Sequence, residues 1–210
     1  GAGRTEFARA LFGADKSTEY DVRLNGQKIN VKTPLDAVKY GIGYITEDRK
    51  GQGLILSDSI KINTTLAKMD KVSHRGIIDK NKEIKIAKDY IQKLRTKCYS
   101  CEQPVGNLSG GNQQKVLLSK WMFADPDLLI LDEPTRGIDV GAKYEIYCII
   151  NQLVEEGKSI LMISSEMPEL LGMCDRIYIM NEGRMVGEVS REEATQEKIM
   201  GYILKSSKGV

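Results

Sequence analysis

The sequence is poor in histidine, and His74 is its one histidine. The chain has 4 cysteines, at positions 98, 101, 148 and 174. Cys98 and Cys101 have the spacing of half a zinc site, but no second pair follows, so we interpret the cysteines as incidental thiols rather than metal ligands or redox centres. No signal-like N-terminus accompanies them, and a reducing cytosol is therefore the expected compartment.

Long apolar runs and long basic runs are missing as well. The longest strongly apolar stretches, 128–131 and 160–163, are far shorter than the roughly 18 residues that a membrane-spanning helix needs. Any association with a membrane must therefore depend on a partner. The formal net charge is +2, from 31 basic against 29 acidic residues, which argues against a nucleic-acid partner held by bulk electrostatics.

The length of 210 residues fits one domain that buries roughly 70% of its unfolded surface. Alternating apolar residues predict antiparallel hairpins at 20–31, around Asn25-Gly26, and at 176–189. The remaining pattern predicts strands at 41–46, 128–132 and 159–164, and helices at 34–40, after Leu108, and at about 142–156, 168–171 and 192–204. Alternating strands and helices favour an α/β fold with a mainly parallel sheet.

Helical periodicity dominates residues 57–105. Ile84, Ala87, Ile91 and Leu94 share one face, which predicts an amphipathic helix that packs on its neighbours. Because this segment interrupts the alternation of strands and helices, we interpret it as an inserted helical subdomain. Just before it, the strand at 41–46 runs into a charged loop at 47–51, which is expected to lie at the edge of a site.

Two carboxylates, Asp132 and Glu133, follow an apolar run that is expected to form a buried core strand. Ligands bind at the C-terminal ends of strands in open α/β sheets, so both acids are expected beside a bound phosphate. Asp132 is predicted to hold magnesium through water, and Glu133 to act as the general base for an attacking water. The alternative, two solvated acids, is disfavoured by the run 134–139 that follows.

Ser109, Gly110 and Gly111 stand at the start of a predicted helix upstream of these acids. Backbone N–H groups at a helix N-terminus stabilise a phosphate, although a lone Ser-Gly-Gly is more simply an N-cap and a loose turn. With Asn112-Gln113-Gln114 after it and the acidic strand beyond, the segment resembles the signature of ATP-binding cassette (ABC) ATPases, and 128–135 resembles their Walker B segment.

The resemblance implies an ABC-type P-loop NTPase core that binds ATP and Mg²⁺. It also implies that the signature contacts the γ-phosphate of ATP held by a partner cassette.

The start of the chain resembles half of a Walker A loop, which assigns Gly1, Ala2, Gly3, Arg4 and Thr5 to nucleotide binding, with Thr5 as the magnesium hydroxyl. A glycine-rich turn is the alternative for these residues. Since no strand precedes them, we expect the domain, 1–210, to be truncated at its N-terminus.

Three positions depart from the usual ABC pattern around the chain's own nucleotide site. Arg4 replaces a lysine, Glu47 a glutamine and Ser165 a histidine. Arginine is a planar fork and does not substitute for the compact charge of lysine. Each change is tolerable alone, but together they predict that hydrolysis at this site is impaired.

Arg4, Asn112 and the segments 47–50, 135–142 and 164–169 together resemble one subfamily. It comprises the C-terminal cassettes of double-cassette ATPases that energise bacterial importers of galactose or methyl-galactoside, ribose, xylose and multiple sugars. The resemblance implies three partners: an N-terminal cassette of the same protein, a sugar permease and, indirectly, a sugar-binding protein. It implies a peripheral location at the cytoplasmic face of the cell membrane and no nucleic acid.

Two other functions stay open on sequence alone. A soluble cassette that acts on ribosomes or DNA would usually show a basic linker, a long coiled coil or a zinc insertion, and none occurs in the sequence. A regulatory ATP-binding half without a catalytic contribution is the second alternative. The transported sugar is not encoded in these residues, because the subunit is not expected to touch it.

Overall fold

The computed structural model describes residues 2–16 and 21–207. The first third of the chain contains α1 (Arg4–Leu11), β1 (Val22–Leu24), β2 (Gln27–Ile29), α2 (Pro34–Lys39), β3 (Ile42–Ile45) and a π-helical turn at Arg49–Gly53. Next come α3 (Ile60–Thr65), a 3₁₀ segment at Leu66–Val72, β4 (Ser73–His74), β5 (Ile77–Ile78), α4 (Lys80–Lys93) and a 3₁₀ turn at Val105–Asn107. The remainder contains α5 (Gly110–Ala124), β6 (Leu128–Asp132), α6 (Val140–Glu155), β7 (Ser159–Ile163), α7 (Met167–Met173), β8 (Arg176–Asn181), β9 (Arg184–Ser190) and α8 (Gln196–Ser207).

A parallel sheet with the strand order β3-β6-β7 forms the centre of the fold. The central strand β6 pairs with β3 from Leu128 opposite Ile42, and with β7 from Leu128 opposite Ser159. Its residues 129–131 are buried, as expected for a strand covered on both faces. The predicted α/β fold is thus confirmed, and the C-terminal ends of all three strands meet at one edge of this sheet.

Helix α5 is buried along most of its length and packs against the sheet and α3. Leu117 and Leu118 are fully buried, and the Trp121 ring meets the Phe12 ring edge-on at 5.7 Å. Lys120 is also buried, where its ammonium donates to the Gly53 carbonyl at 2.6 Å. A helix fixed on several sides holds its N-terminal tip in a defined place.

Both predicted hairpins form. Strands β1 and β2 pair antiparallel, and Asn25 and Gly26 have φ of 51° and 77°, as a two-residue type I′ turn requires. Tyr20, at the start of the predicted hairpin, lies outside the described residues. Strands β8 and β9 pair around Glu182 and Gly183, with a register shift between Ile179 and Met180.

Two local features were not predicted. Within 57–105, β4 and β5 form a short antiparallel ladder. Strands of two residues are too short to show an alternation of apolar and polar residues in the sequence. The charged loop at 47–51 contains part of the π-helical turn, because the Asp48 side chain accepts the Gly51 N–H at 2.9 Å. The amphipathic helix is α4, with Ala87 and Leu94 buried as expected.

In the part of the chain that the structure describes, no helix combines the length and the apolar character needed to cross a membrane.

Candidate nucleotide site

The start of α1 lies against the turn of the β8–β9 hairpin. Gly3 caps the helix with a φ of 87°, a left-handed conformation that favours glycine. A Cβ on Gly3 would lie 3.0 Å from the Gly183 Cα, and the Gly183 N–H donates to the Ala2 carbonyl at 3.0 Å. The first N–H groups of a helix have no intrahelical partners, so this end suits an anion. Gly1, which was also assigned to nucleotide binding, lies outside the described residues.

Arg4 turns its side chain towards β7. Its Nη1 donates to the Ser164 carbonyl at 2.8 Å, so part of the guanidinium is used within the protein. Thr5, the proposed magnesium hydroxyl, follows it in the first turn of α1 and is half-buried. A lysine at position 4 would present a compact ammonium charge, whereas the planar guanidinium of Arg4 is partly occupied by its hydrogen bond to Ser164.

Asp132 is 0% exposed at the end of β6. Its Oδ2 accepts a hydrogen bond from the Tyr44 hydroxyl at 3.0 Å, whereas Oδ1 is buried without a partner among the described residues. Burial and the neighbouring Asp132 carboxylate raise the pKa of Tyr44, which keeps the phenol a donor. A buried oxygen without a partner is costly, and carboxylate oxygens are the ligands that Mg²⁺ prefers. Asp132 therefore fits a magnesium site.

Glu133 adopts an unusual backbone conformation directly after β6. Its φ is 49°, which costs a non-glycine residue about 1–2 kcal/mol. The Glu133 N–H donates to the Ile163 carbonyl at 2.8 Å, and its Oε2 accepts from the Ser165 hydroxyl at 3.1 Å. Ser165 thus reaches the proposed base, but a hydroxyl cannot carry the positive charge that a histidine could supply.

A buried carboxylate, Glu169, fixes the two segments that flank this base. It is 4% exposed and accepts hydrogen bonds from the hydroxyls of Thr135, Tyr147 and Ser164. Burial and the Glu169 hydrogen bond raise the pKa of Tyr147 to about 12. Sequence reasoning gave Glu169 no role, although the largely apolar residues around it in α7 indicate a helix turn that faces inwards.

The predicted site residue Glu47 lies beside the loop between β6 and α6. It forms an ion pair with Arg136, and the Arg49 Nη1 donates to the Arg136 carbonyl at 2.8 Å. Asp48 and Lys50 complete the lining of an open cleft of about 340 Å³ at this place.

The signature segment forms the tip of α5. Ser109 is its N-cap residue, but the Ser109 hydroxyl makes no cap bond and instead accepts from Asn112 Nδ2 at 2.9 Å. Gly111 is buried, and a Cβ there would lie 2.6 Å from the Ala142 Cβ at the start of α6. By contrast, α6 is capped by Asp139, whose side chain accepts the Ala142 N–H at 3.0 Å. The uncapped tip of α5 leaves backbone donors for a ligand.

The predicted site residues fall into two groups. Arg4, Asp132, Glu133 and Ser165 gather at the C-terminal edge of the sheet through the contacts given above. Residues 109–111 form the second group at the tip of α5, and no hydrogen bond or ion pair in the described ranges joins them to the first group. The loop between Glu133 and Asp139 is the covalent link between the two.

Comparison with known proteins supports the resemblance to ABC ATPases. The sequence profile of the family "ABC transporter" matches residues 1–136. The L-arabinose transport ATP-binding protein AraG of Geobacillus stearothermophilus is 57% identical over 99% of this chain and 41% of its own length. The xylose import ATP-binding protein XylG of Thermoanaerobacter pseudethanolicus is 53% identical over 95% of this chain and 40% of its own length.

Solved cassettes share the fold. MJ1267, an ATP-binding cassette of an ABC transporter, matches with a TM-score of 0.79 at 20% identity, over 96% of this chain and 83% of that one. A dimeric cassette, MJ0796 bound to ADP and Pi, matches with a TM-score of 0.76 at 20% identity, over 90% of this chain and 81% of that one.

The parallel sheet, the helix tip at the signature and the acidic strand end define an ABC-type ATPase domain. The chain belongs to the ABC transporter family. It spans about two fifths of the length of the curated relatives it matches, at 41% of AraG and 40% of XylG.

Proposed function

We propose that this chain is the C-terminal ATP-binding half of a protein that energises monosaccharide uptake through a membrane permease. Relatives at 57%, 53% and 52% identity are named for arabinose transport and for xylose and ribose import. The observation that supports the division of labour is that no hydrogen bond or ion pair among the described residues joins the α5 tip to Arg4, Asp132 or Glu133. In this proposal the tip serves ATP held by an N-terminal cassette of the same protein.

ATP and Mg²⁺ are the proposed ligands of the chain's own site. Bound Mg²⁺ would polarise the phosphate and neutralise its charge. Residues 1–5 would bind the phosphates, and Thr5 and Asp132 would hold the metal. Glu133 would accept the proton of the attacking water, while Ser165 orients the Glu133 carboxylate.

The own site is proposed to hold nucleotide and to turn it over slowly or not at all. Support comes from Arg4, which donates to the Ser164 carbonyl, and from Ser165, which offers the base a neutral hydroxyl. The Glu47 carboxylate gives further support, because it forms an ion pair with Arg136 within the protein.

The permease is proposed to dock on residues of about 57–105, taken as an inserted helical subdomain, together with the loop 47–53. The open cleft lined by Glu47, Asp48, Arg49, Lys50 and Arg136 lies at this loop, and its exposed Asp48 and Lys50 offer charged groups to a helix of the permease. Closure on ATP would then move the permease from the cytoplasmic face, and a sugar-binding protein would select the cargo.

Replacing Arg4 by lysine is expected to tighten ATP binding at this site by about threefold to tenfold, because lysine returns a compact charge to the phosphates. The measurement is nucleotide titration of the assembled transporter with the phosphate loop of the partner cassette disabled. Arg9→Lys is the matched control, since Arg9 lies on the same helix but pairs with Asp15 at 2.7 Å. Unchanged or weaker binding by Arg4→Lys would remove Arg4 as a cause of the impairment.

Uptake of labelled arabinose, ribose, xylose and galactose into proteoliposomes tests the proposed function as a whole. The expected result is ATP-dependent accumulation of at least one of these sugars when the permease and its binding protein are present. Copurification of the protein with ribosomes in place of a permease would instead favour a cassette without a transport role. A complex that transports while this chain binds ATP but contributes nothing to turnover would favour the regulatory alternative.

A further inference from the structure

Arg49 contacts two other segments of the site at once. Its Nη1 donates to the Arg136 carbonyl at 2.8 Å and its Nη2 to the Gly137 carbonyl at 3.4 Å. A Cβ placed on Gly110 would lie 2.9 Å from the Arg49 Nη2 and 3.3 Å from the Gly137 oxygen. One guanidinium therefore joins the segment after Glu47, the loop between β6 and α6, and the tip of α5.

The shape of the group matters for this contact. A planar guanidinium can donate to two carbonyl oxygens and still lie flat against a glycine, whereas a lysine ammonium is a single point of charge. Arg49 keeps this place at a cost, because its Nε is buried without a partner among the described residues and burial lowers the pKa of the side chain. A cation that served solubility alone would remain in solvent.

The three contacts lie between the two groups of site residues. The loop that Arg49 holds begins at Glu133 in the chain's own site and ends at Asp139, which caps α6 beside Gly111. A second link, the ion pair between Glu47 and Arg136, is largely exposed and contributes little by itself.

We infer that Arg49 is a positioning residue that sets the α5 tip relative to the loop between β6 and α6. Through this contact the state of the chain's own site reaches the signature that acts on the partner's nucleotide. The inference rests on the proposed function, because it requires that the tip act on ATP in a second cassette.

Steady-state ATP turnover by the reconstituted transporter tests this inference with the variants Arg49→Lys and Arg49→Gln. Both are expected to lower kcat by about tenfold or more, since lysine lacks the planar pair of donors that spans the two loop carbonyls and glutamine also lacks the positive charge. KM for ATP should change little, because Arg49 does not lie in the phosphate loop that binds the partner's nucleotide. Arg23→Lys is the matched control, because Arg23 is 67% exposed on the β1–β2 hairpin.

The split between kcat and KM separates positioning from general support of the fold. Turnover by Arg49→Lys equal to that of the unmodified protein would overturn the inference, since charge alone would then suffice. A fall in kcat accompanied by an equal loss of ATP affinity and of thermal stability would also overturn it. If Gly111→Asp abolishes turnover while Arg49→Lys does not, the inference fails and the proposed function stands. If the unmodified complex shows no sugar transport, the proposed function itself fails.

Discussion

Gly111→Asp is expected to lower ATP turnover by the assembled transporter by about 100-fold or more, the size of effect seen when a preorganised donor to a reacting group is lost. The aspartate places a carboxylate at the tip of α5, where the proposed ligand is the terminal phosphate of ATP. It also creates a steric clash with Ala142, since a Cβ on residue 111 would lie 2.6 Å from the Ala142 Cβ. Steady-state phosphate release by the reconstituted complex measures the loss.

Two further variants separate charge from packing. Gly111→Ala introduces the methyl group without the charge, and Ala142→Gly makes room for it. We expect Gly111→Ala combined with Ala142→Gly to recover turnover that Gly111→Ala alone loses. Gly111→Asp combined with Ala142→Gly should stay inactive because the carboxylate remains. Full turnover by Gly111→Asp would show that the tip is not used.

Glu133→Gln is expected to lower turnover by less than threefold, whereas the same change in the partner cassette should lower it by about 10²- to 10⁴-fold, the usual contribution of a general base. The difference follows from the contacts of Arg4 and Ser165, which leave the chain's own site without the lysine charge or a histidine. Parallel turnover measurements on the two single variants give the comparison.

The glutamine variant is a conservative test of the carboxylate. Glutamine has nearly the shape of Glu133, and its amide oxygen can still accept from the Ser165 hydroxyl. Thermal unfolding of both variants should therefore match that of the unmodified complex. Equal losses of turnover from the two cassettes would show that both sites hydrolyse ATP, and the proposed asymmetry would be wrong.

Local patterns were sufficient for the elements that build the sheet and the α5 tip. The apolar run before Asp132 predicts β6 because a strand buried on both faces has no polar alternation. The turn at Asn25 and Gly26 likewise predicts the first hairpin, because both residues tolerate positive φ. Both features are determined by residues that are adjacent in the chain, so they can be predicted from a local sequence pattern.

Contacts between distant segments were not predictable in the same way. Arg49 and the Arg136 carbonyl that it binds are 87 positions apart, and Glu169 accepts from Thr135 across 34 positions. Such contacts depend on the packed sheet and helices and leave no periodic pattern. The π-helical turn after Asp48 and the two-residue strands β4 and β5 are too short for any period to emerge.

The most direct test is the structure of the transporter trapped in its closed state with a non-hydrolysable ATP analogue. We expect the backbone N–H groups of Gly110 and Gly111 to lie within hydrogen-bond distance of the terminal phosphate of the nucleotide held by the N-terminal cassette. A closed complex in which this tip faces solvent, or contacts only the nucleotide bound by residues 1–5 of its own chain, would contradict the proposal.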